Sequence, residues 1–221
     1  MKKKACFIKA VFFILAVMFI FTACKSGPMT AEERAKEATR LVKAGSDDFR
    51  RGDVDAAIAK FEEALKLEPA WTHAIKAYAE LLYNKAVGYA QYSDKLWGKY
   101  LGKEFDEVTL RWQSAEEALS EKEKEEAKKN SEETQRKAFL YFRKSLEQLK
   151  MLEMLLEGSD DNVTCAIGII HVFLLEFDKA IESFEKVLAS PRVEDQKVKD
   201  IIKKVIESIR EYKKYEEESK N

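Results

Sequence analysis

Two stretches of this chain, far apart in sequence, carry the same pattern. "DVDAAIAKFEEALKLEP" runs from Asp53 to Pro69, and "EFDKAIESFEKVLASP" from Glu176 to Pro191. Ala57, Ile58, Phe61 and Leu65 of the first correspond to Ala180, Ile181, Phe184 and Leu188 of the second. Upstream, Gly45 corresponds to Gly168. Each stretch reads as a short helix, because its apolar residues recur three and four positions apart and so share one face. Asp53 is a good N-cap residue. Pro69 forces the chain out of the helix, and Pro191 falls one position early for the same role. Ala57 and Ala64 are small where a bulky residue would be expected, which lets a neighbouring helix approach closely. A second helical stretch, "AEERAKEATRLVKAGSDDFRRG", precedes the first copy, with the turn at Gly52 and Asp53. The unit is therefore a pair of helices. Such a pair cannot bury its apolar face alone and has to stack on others.

That pattern resembles the tetratricopeptide repeat (TPR), a helix pair closed by proline. With Pro69 at the closing position, the repeat begins at Ala38, and Gly45, Ala57, Phe61 and Ala64 match the family pattern. Leu41 stands where the family has Trp, and Ala44 where it has Leu. Asp48 departs at an aromatic position, with Phe49 beside it. The resemblance implies an all-α, TPR-like α-solenoid of antiparallel helix pairs. Composition agrees. Gly (8) and Pro (3) are rare, 46% of residues are apolar and 36% charged, which favours helix over a strand-and-turn fold. The expected layout is a leader over 1–23, a tether over 24–30 and a helical domain over 31–221. Within the domain we expect a repeat at 38–71, an expanded middle at 72–158, a repeat at 161–192 and a capping helix at 194–218.

The N-terminus, "MKKKACFIKAVFFILAVMFIFTAC", reads separately from the fold. Lys2, Lys3, Lys4 and Lys9 form a basic start, and Ala10 to Phe21 is an unbroken apolar run of 12 residues. As a helix that run spans about 18 Å, short of a hydrocarbon core of roughly 30 Å, so a cleaved export signal fits better than a permanent span. "FTAC", Phe21 to Cys24, resembles a bacterial lipobox, with Phe21 in place of the usual Leu. The resemblance implies cleavage before Cys24 and lipid on that residue. The alternative is an uncleaved anchor that ends in Cys. Residues 25–30, "KSGPMT", suit a short tether, and Thr30 with Glu33 has the spacing of a capping box.

Without the leader, 35 basic and 40 acidic residues remain. A chain this mildly acidic is not built around nucleic acid, nor around electrostatic attachment to an anionic membrane. Cys165 is then the one cysteine left in the folded part, in the apolar stretch "VTCAIGIIHVFLL". It reads as a packed structural residue.

The middle keeps helical composition without a regular repeat. "AWTHAIKAYAELLYNKAVGYAQYSDKLWGKYL" is one long helix or two. "EFDEVTLRWQSAEEALSEKEKEEAKKNSEETQ" is polar, and ten of the fourteen residues from Glu116 to Lys129 are charged with mixed sign, as on a solvated helix. "RKAFLYFRKSLEQLKMLEMLLEG" restores an apolar face and stops at Gly158, a natural C-terminal stop. The expectation is one expanded repeat with elongated helices. In the last helix, Val198, Ile201, Ile202, Val205, Ile209 and Tyr212 are expected to cover the final repeat.

No catalytic or metal motif emerges. His73 and His171 are far apart and lack metal-site spacing. No phosphate loop or nucleophile elbow is present. Neither cofactor nor metal is expected, and the chain reads as a non-catalytic binding protein. Its first helices would line a groove, placing Val42, Ser46, Phe49 and Arg50 of the first repeat there, with Cys165, Ile169, Val172 and Phe173 of the later one. The competing reading has the long middle helices filling that groove.

"LLYNKAVGYAQYSDKLW", Leu81 to Trp97, is similar to a segment of the TatT family, TPR lipoproteins associated with TRAP-type solute transporters. Gly88, Tyr89, Gln91 and Tyr92 carry the likeness. It implies a transporter partner and a small ligand. Tyr83, Tyr89, Tyr92, Trp97, Tyr100, Phe105 and Trp112 cluster in the same region, and aromatic residues are enriched at interface hot spots. The candidate binding residues are thus Phe49, Arg50, Tyr89, Tyr92, Trp97, Trp112, Ile169 and Phe173. The expected function is a scaffold lipoprotein of the bacterial cell envelope, held to a membrane through Cys24 and facing the periplasm. Its partner would be another envelope protein, a transporter subunit or an assembly factor. The alternative is a TatT-like accessory of a solute transporter.

Overall fold

The computed structural model describes residues 29–106, 111–114 and 119–218, the side chains of 104–106 and 111–114 excepted. The leader, Cys24 and most of the tether lie outside the described residues. The described chain forms α1 (Ala31–Arg50), α2 (Val54–Leu67), α3 (Thr72–Tyr100), β1 (Lys103–Asp106), β2 (Arg111–Ser114), α4 (Glu121–Leu155), α5 (Asp161–Phe173), α6 (Phe177–Ala189) and α7 (Gln196–Glu218). Helices pack in sequential pairs, α1 on α2, α3 on α4 and α5 on α6, each pair also touching the next, and α7 lies on α6. The architecture is an all-α array of helix pairs with one small hairpin.

Local chemistry explains where the helices begin and end. Thr30 Oγ1 accepts from the Glu33 N–H at 3.2 Å, and the Thr30 N–H donates to the Glu33 carboxylate at 2.8 Å, which satisfies two orphan donors at once. Ser120 and Glu123 form the same box at the start of α4. α1 ends where Gly52 turns with φ +85°, a conformation only glycine adopts without cost. The Asp53 carboxylate then accepts from the Ala56 N–H at 3.1 Å and starts α2.

The two outer pairs are built on one plan. A Cβ placed on Gly45 would lie 3.1 Å from the Phe61 ring, and one on Gly168 would lie 2.9 Å from the Phe184 ring. In each pair a phenylalanine of the second helix sits on a glycine of the first, so the backbones close together. Ala57 and Ala180 are completely buried beside them. The shared pattern of the two sequence copies is therefore a shared contact.

The middle pair is long. At 1.5 Å per residue, α3 runs about 44 Å and α4 about 52 Å. Their seam holds the largest cluster of buried apolar residues, including Ile75, Phe142, Leu152 and, from α5, Ile170. Serines lock the register. Ser93 Oγ donates to the Ser131 carbonyl at 2.9 Å, Ser131 Oγ to the Ser93 carbonyl at 3.0 Å, and Ser145 Oγ to the Ala79 carbonyl at 2.8 Å. These small residues let the two backbones approach while every one of these buried hydroxyls is satisfied.

Two expectations need correction, the helical tip of this pair and the single apolar stripe of α7, and Asp48 has a role that its departure from the pattern did not reveal. The tip of this pair is not helical. Gly102 turns with φ +67°, and β1 and β2 pair antiparallel with Phe105 opposite Trp112. Aromatic and β-branched residues in "EFDEVTLRW" favour strand. Asp48, at the aromatic position of the TPR pattern, is buried and paired with Arg51 and Lys60. In α7, Ile202, Ile206 and Ile209 face the core, whereas Val198, Ile201 and Tyr212 are exposed. The helix carries two apolar stripes, and packing on α6 selects the one containing Ile206.

Candidate functional site

α1, α3 and α5 are the first helices of the three pairs, and they contribute most of the lining of two neighbouring clefts. The first, about 500 Å³, is lined by Phe49 of α1, Val54 and Asp55 at the start of α2, and Asn84, Lys85, Gly88, Tyr89 and Tyr92 of α3. The second, about 450 Å³, lies between α3, α4 and α5, and its lining includes Lys76, Glu80, Tyr83, Asn84, Ser145, Asn162 and Ile169. Asn84 borders both, so they form one interrupted groove along α3.

Of the candidate residues, the structure brings Phe49, Tyr89 and Tyr92 together in the first cleft. Phe49 and Tyr92 are exposed, which leaves their rings available to a ligand. Ile169 lines the second cleft. Phe173 stacks on Phe142 with centroids 4.6 Å apart and meets Tyr83 edge-on at 6.1 Å. Phe173 is packed on one face yet still 37% exposed. Arg50 is exposed and paired with Asp47 at 3.0 Å, outside the lining of both clefts. Trp97 lies further along α3 against Tyr100, with centroids 5.0 Å apart. Trp112 belongs to β2, and its side chain lies outside the described residues. Cys165 and Val172, expected in the groove, pack instead toward α6 and α7.

The sequence reading missed Asn84 and Lys85. Lys85 is largely buried, paired with Asp55, and its ammonium lies 4.6 Å from the centre of the Tyr141 ring. Burial pulls its pKa down, but the hydrogen bonds to Asp55 and Tyr141 outweigh this and leave it raised. Tyr89 stacks on Tyr141 at 5.7 Å. Lys85 and Tyr89 of the cleft wall are thus already packed on Tyr141 behind them. Gly88 is the signal that pointed here. It is mid-helix, where glycine costs about 1 kcal/mol relative to alanine, and a Cβ on it would touch nothing within 4 Å. No close packing demands it, and its effect is to widen the cleft.

Other reactive side chains lie elsewhere. His171 is buried and its Nδ1 lies 2.7 Å from the Glu176 carboxylate. Burial holds its pKa low against the upward pull of Glu176. Burial also pushes the Cys165 thiol up, away from the thiolate that a nucleophile needs. Among the described residues no group of His, Cys, Asp and Glu is arranged to hold a metal ion, and no helix is long and apolar enough to cross a membrane.

No family model matches the chain, and no curated protein matches it. Among solved structures, a thermophilic TPR protein from Thermus thermophilus is similar, at 17% identity. The match covers 78% of this chain and 98% of that one, with a TM-score of 0.25. A superposition that loose carries no argument. The repeat plan rests on the glycine–phenylalanine contacts that this chain makes twice.

Proposed function

We propose that the protein is a non-catalytic binding scaffold of the bacterial cell envelope, anchored by lipid on Cys24, that holds a segment of a partner protein along α1, α3 and α5. The observation that carries this reading is the open aromatic cleft of Phe49, Tyr89 and Tyr92, kept roomy by Gly88. Rigid aromatic anchors beside a pre-formed depression are what protein recognition uses. Gly88→Trp is expected to fill the cleft from a position where an added Cβ meets nothing within 4 Å. Affinity capture from solubilised membranes is expected to recover a partner with the wild-type chain and lose it with Gly88→Trp, at unchanged helicity. Equal recovery by both would sink the cleft as the binding site. Detergent partitioning of Cys24→Ala tests the anchor. Loss of membrane association is expected, and retention would mean that the leader persists as the anchor.

A second reading is the TatT-like one, an accessory of a solute transporter that binds a small molecule. The second cleft favours it. Its volume of about 450 Å³ is in the usual range for small ligands, and Lys76, Asn84 and Asn162 supply polar groups above the apolar floor. Mass spectrometry of the natively purified protein would detect such a ligand, and Ile169→Trp is expected to exclude it. Capture of a solute-binding protein would favour this reading; capture of envelope assembly factors would favour the first.

A further inference from the structure

α7 is the one described helix without a partner helix in its own pair. Its core-facing residues are Ile202, Ile206 and Ile209. A second apolar stripe lies about a quarter of a turn away, formed by Val198, Ile201, Val205, Ser208, Tyr212 and Tyr215. The steps are three, four, three, four and three residues, the spacing of a coiled-coil seam. Val198 is 41% exposed, Ile201 62%, Tyr212 52% and Tyr215 70%, while Val205 is partly buried toward α6 and one side of the Tyr212 ring meets Phe177, with centroids 5.3 Å apart. The last helix of a repeat array ordinarily turns only a polar face outward; this one turns an apolar stripe outward as well.

The charges flanking the stripe say what covers it. Along its solvent side run Lys197, Lys204, Glu211 and Glu218, all exposed, positive in the first half of the helix and negative in the second. That order opposes the helix dipole, which favours acid at the N-terminus and base at the C-terminus. The opposite flank carries Ile202 and Ile209 and is already buried. A second α7 laid antiparallel across a twofold axis resolves both features. Val198 then faces Tyr215 of the copy, Ile201 faces Tyr212, and Val205 faces Ser208. In the same register Lys204 comes beside Glu211 of the copy and Lys197 beside Glu218, twice over by symmetry, and the two dipoles oppose. A parallel pairing would bring like charges to the same height instead.

We infer that α7 is a homodimerisation helix, and that two chains associate through an antiparallel α7–α7 seam. A single helix pair is small for an interface, so the dimer forms in a concentration-dependent way and weakens with salt as the flanking ion pairs are screened.

Sedimentation of the leaderless chain from about 5 to 100 µM tests this. The expected result is a monomer–dimer equilibrium. Ile201→Glu is expected to leave a monomer with unchanged helicity. Lys204→Glu is expected to raise the dissociation constant about tenfold by placing like charges together. Adding Glu211→Lys to it restores the pairing, a rescue that only the antiparallel register predicts and that stands even if Ile201→Glu fails to fold. A monomer at every concentration, a trimer, or a swap pair without rescue would each overturn the inference. So would a monomer whose Ile201→Glu variant alone loses binding to 3:1 phosphatidylethanolamine–phosphatidylglycerol vesicles, since the stripe would then meet lipid.

Discussion

Three glycines separate packing from function. Gly45 and Gly168 carry phenylalanine rings at van der Waals contact, whereas Gly88 carries nothing. Gly168→Ala is therefore expected to destabilise by about 1–3 kcal/mol, because the added methyl overlaps the Phe184 ring and the pair must open. Gly88→Ala is expected to stabilise by up to about 1 kcal/mol through helix propensity alone. Urea denaturation of the two variants checks both signs, and a stabilised Gly45→Ala or Gly168→Ala would refute the shared contact. His171 gives a pH signature. Its folded pKa lies below the ordinary value because burial disfavours the cation. Below about pH 6.5 the unfolded chain binds a proton that the folded chain resists, so this residue's contribution to stability falls as pH drops through that value. A His171→Gln variant is expected to show a flatter stability profile between pH 7.5 and 5. An unchanged slope would mean that another group carries the acid sensitivity.

At the scale of elements, the α3–α4 pair depends on serine hydroxyls as well as on apolar area. Ser145 is completely buried and bonded to the Ala79 carbonyl. Ser145→Ala removes that bond and is expected to cost about 1 kcal/mol, measured as a shift in the denaturation midpoint at constant slope. The pair was legible in outline. Apolar periodicity marked long helices on both sides of a charged stretch, and Gly158 marked where the second one stops. The hairpin between them was not read, because four-residue strands in a charged context carry too little pattern to stand out from helix. α7 shows the opposite difficulty. Two stripes overlap in its sequence, and periodicity alone does not say which one meets α6.

For the whole molecule, the groove is a product of stacking. Phe49 of α1 and Tyr92 of α3 lie far apart in the chain and line one cleft because successive helix pairs stack on each other. Tyr92→Ala is expected to leave stability within about 0.5 kcal/mol of wild type, as for exposed substitutions generally, while weakening partner capture. Tyr78→Ala is expected to destabilise by about 3–5 kcal/mol, since Tyr78 is buried, stacks on Phe61 and donates to Glu62 at 2.6 Å. Thermal melts and capture with the two variants would separate surface from core. Equal destabilisation by both would mean that Tyr92 is structural.

What the sequence determined by itself is local and repeated. The helix class, the Thr30 cap, the turn at Gly52, and the Gly45–Phe61 plan with its second copy all follow from short-range spacing and side-chain chemistry. What the tertiary structure decided is which faces look at each other. It turned Asp48 inward between Lys60 and Arg51, sent Cys165 and Val172 toward α6 and α7, made Asn84 the joint of two clefts, and left one stripe of α7 largely exposed. The physical reason is that a helix period assigns residues to a face, whereas the angle and register at which faces meet come from how ridges and grooves of separate helices interlock. Those contacts join residues whose separation along the chain carries no signal of its own.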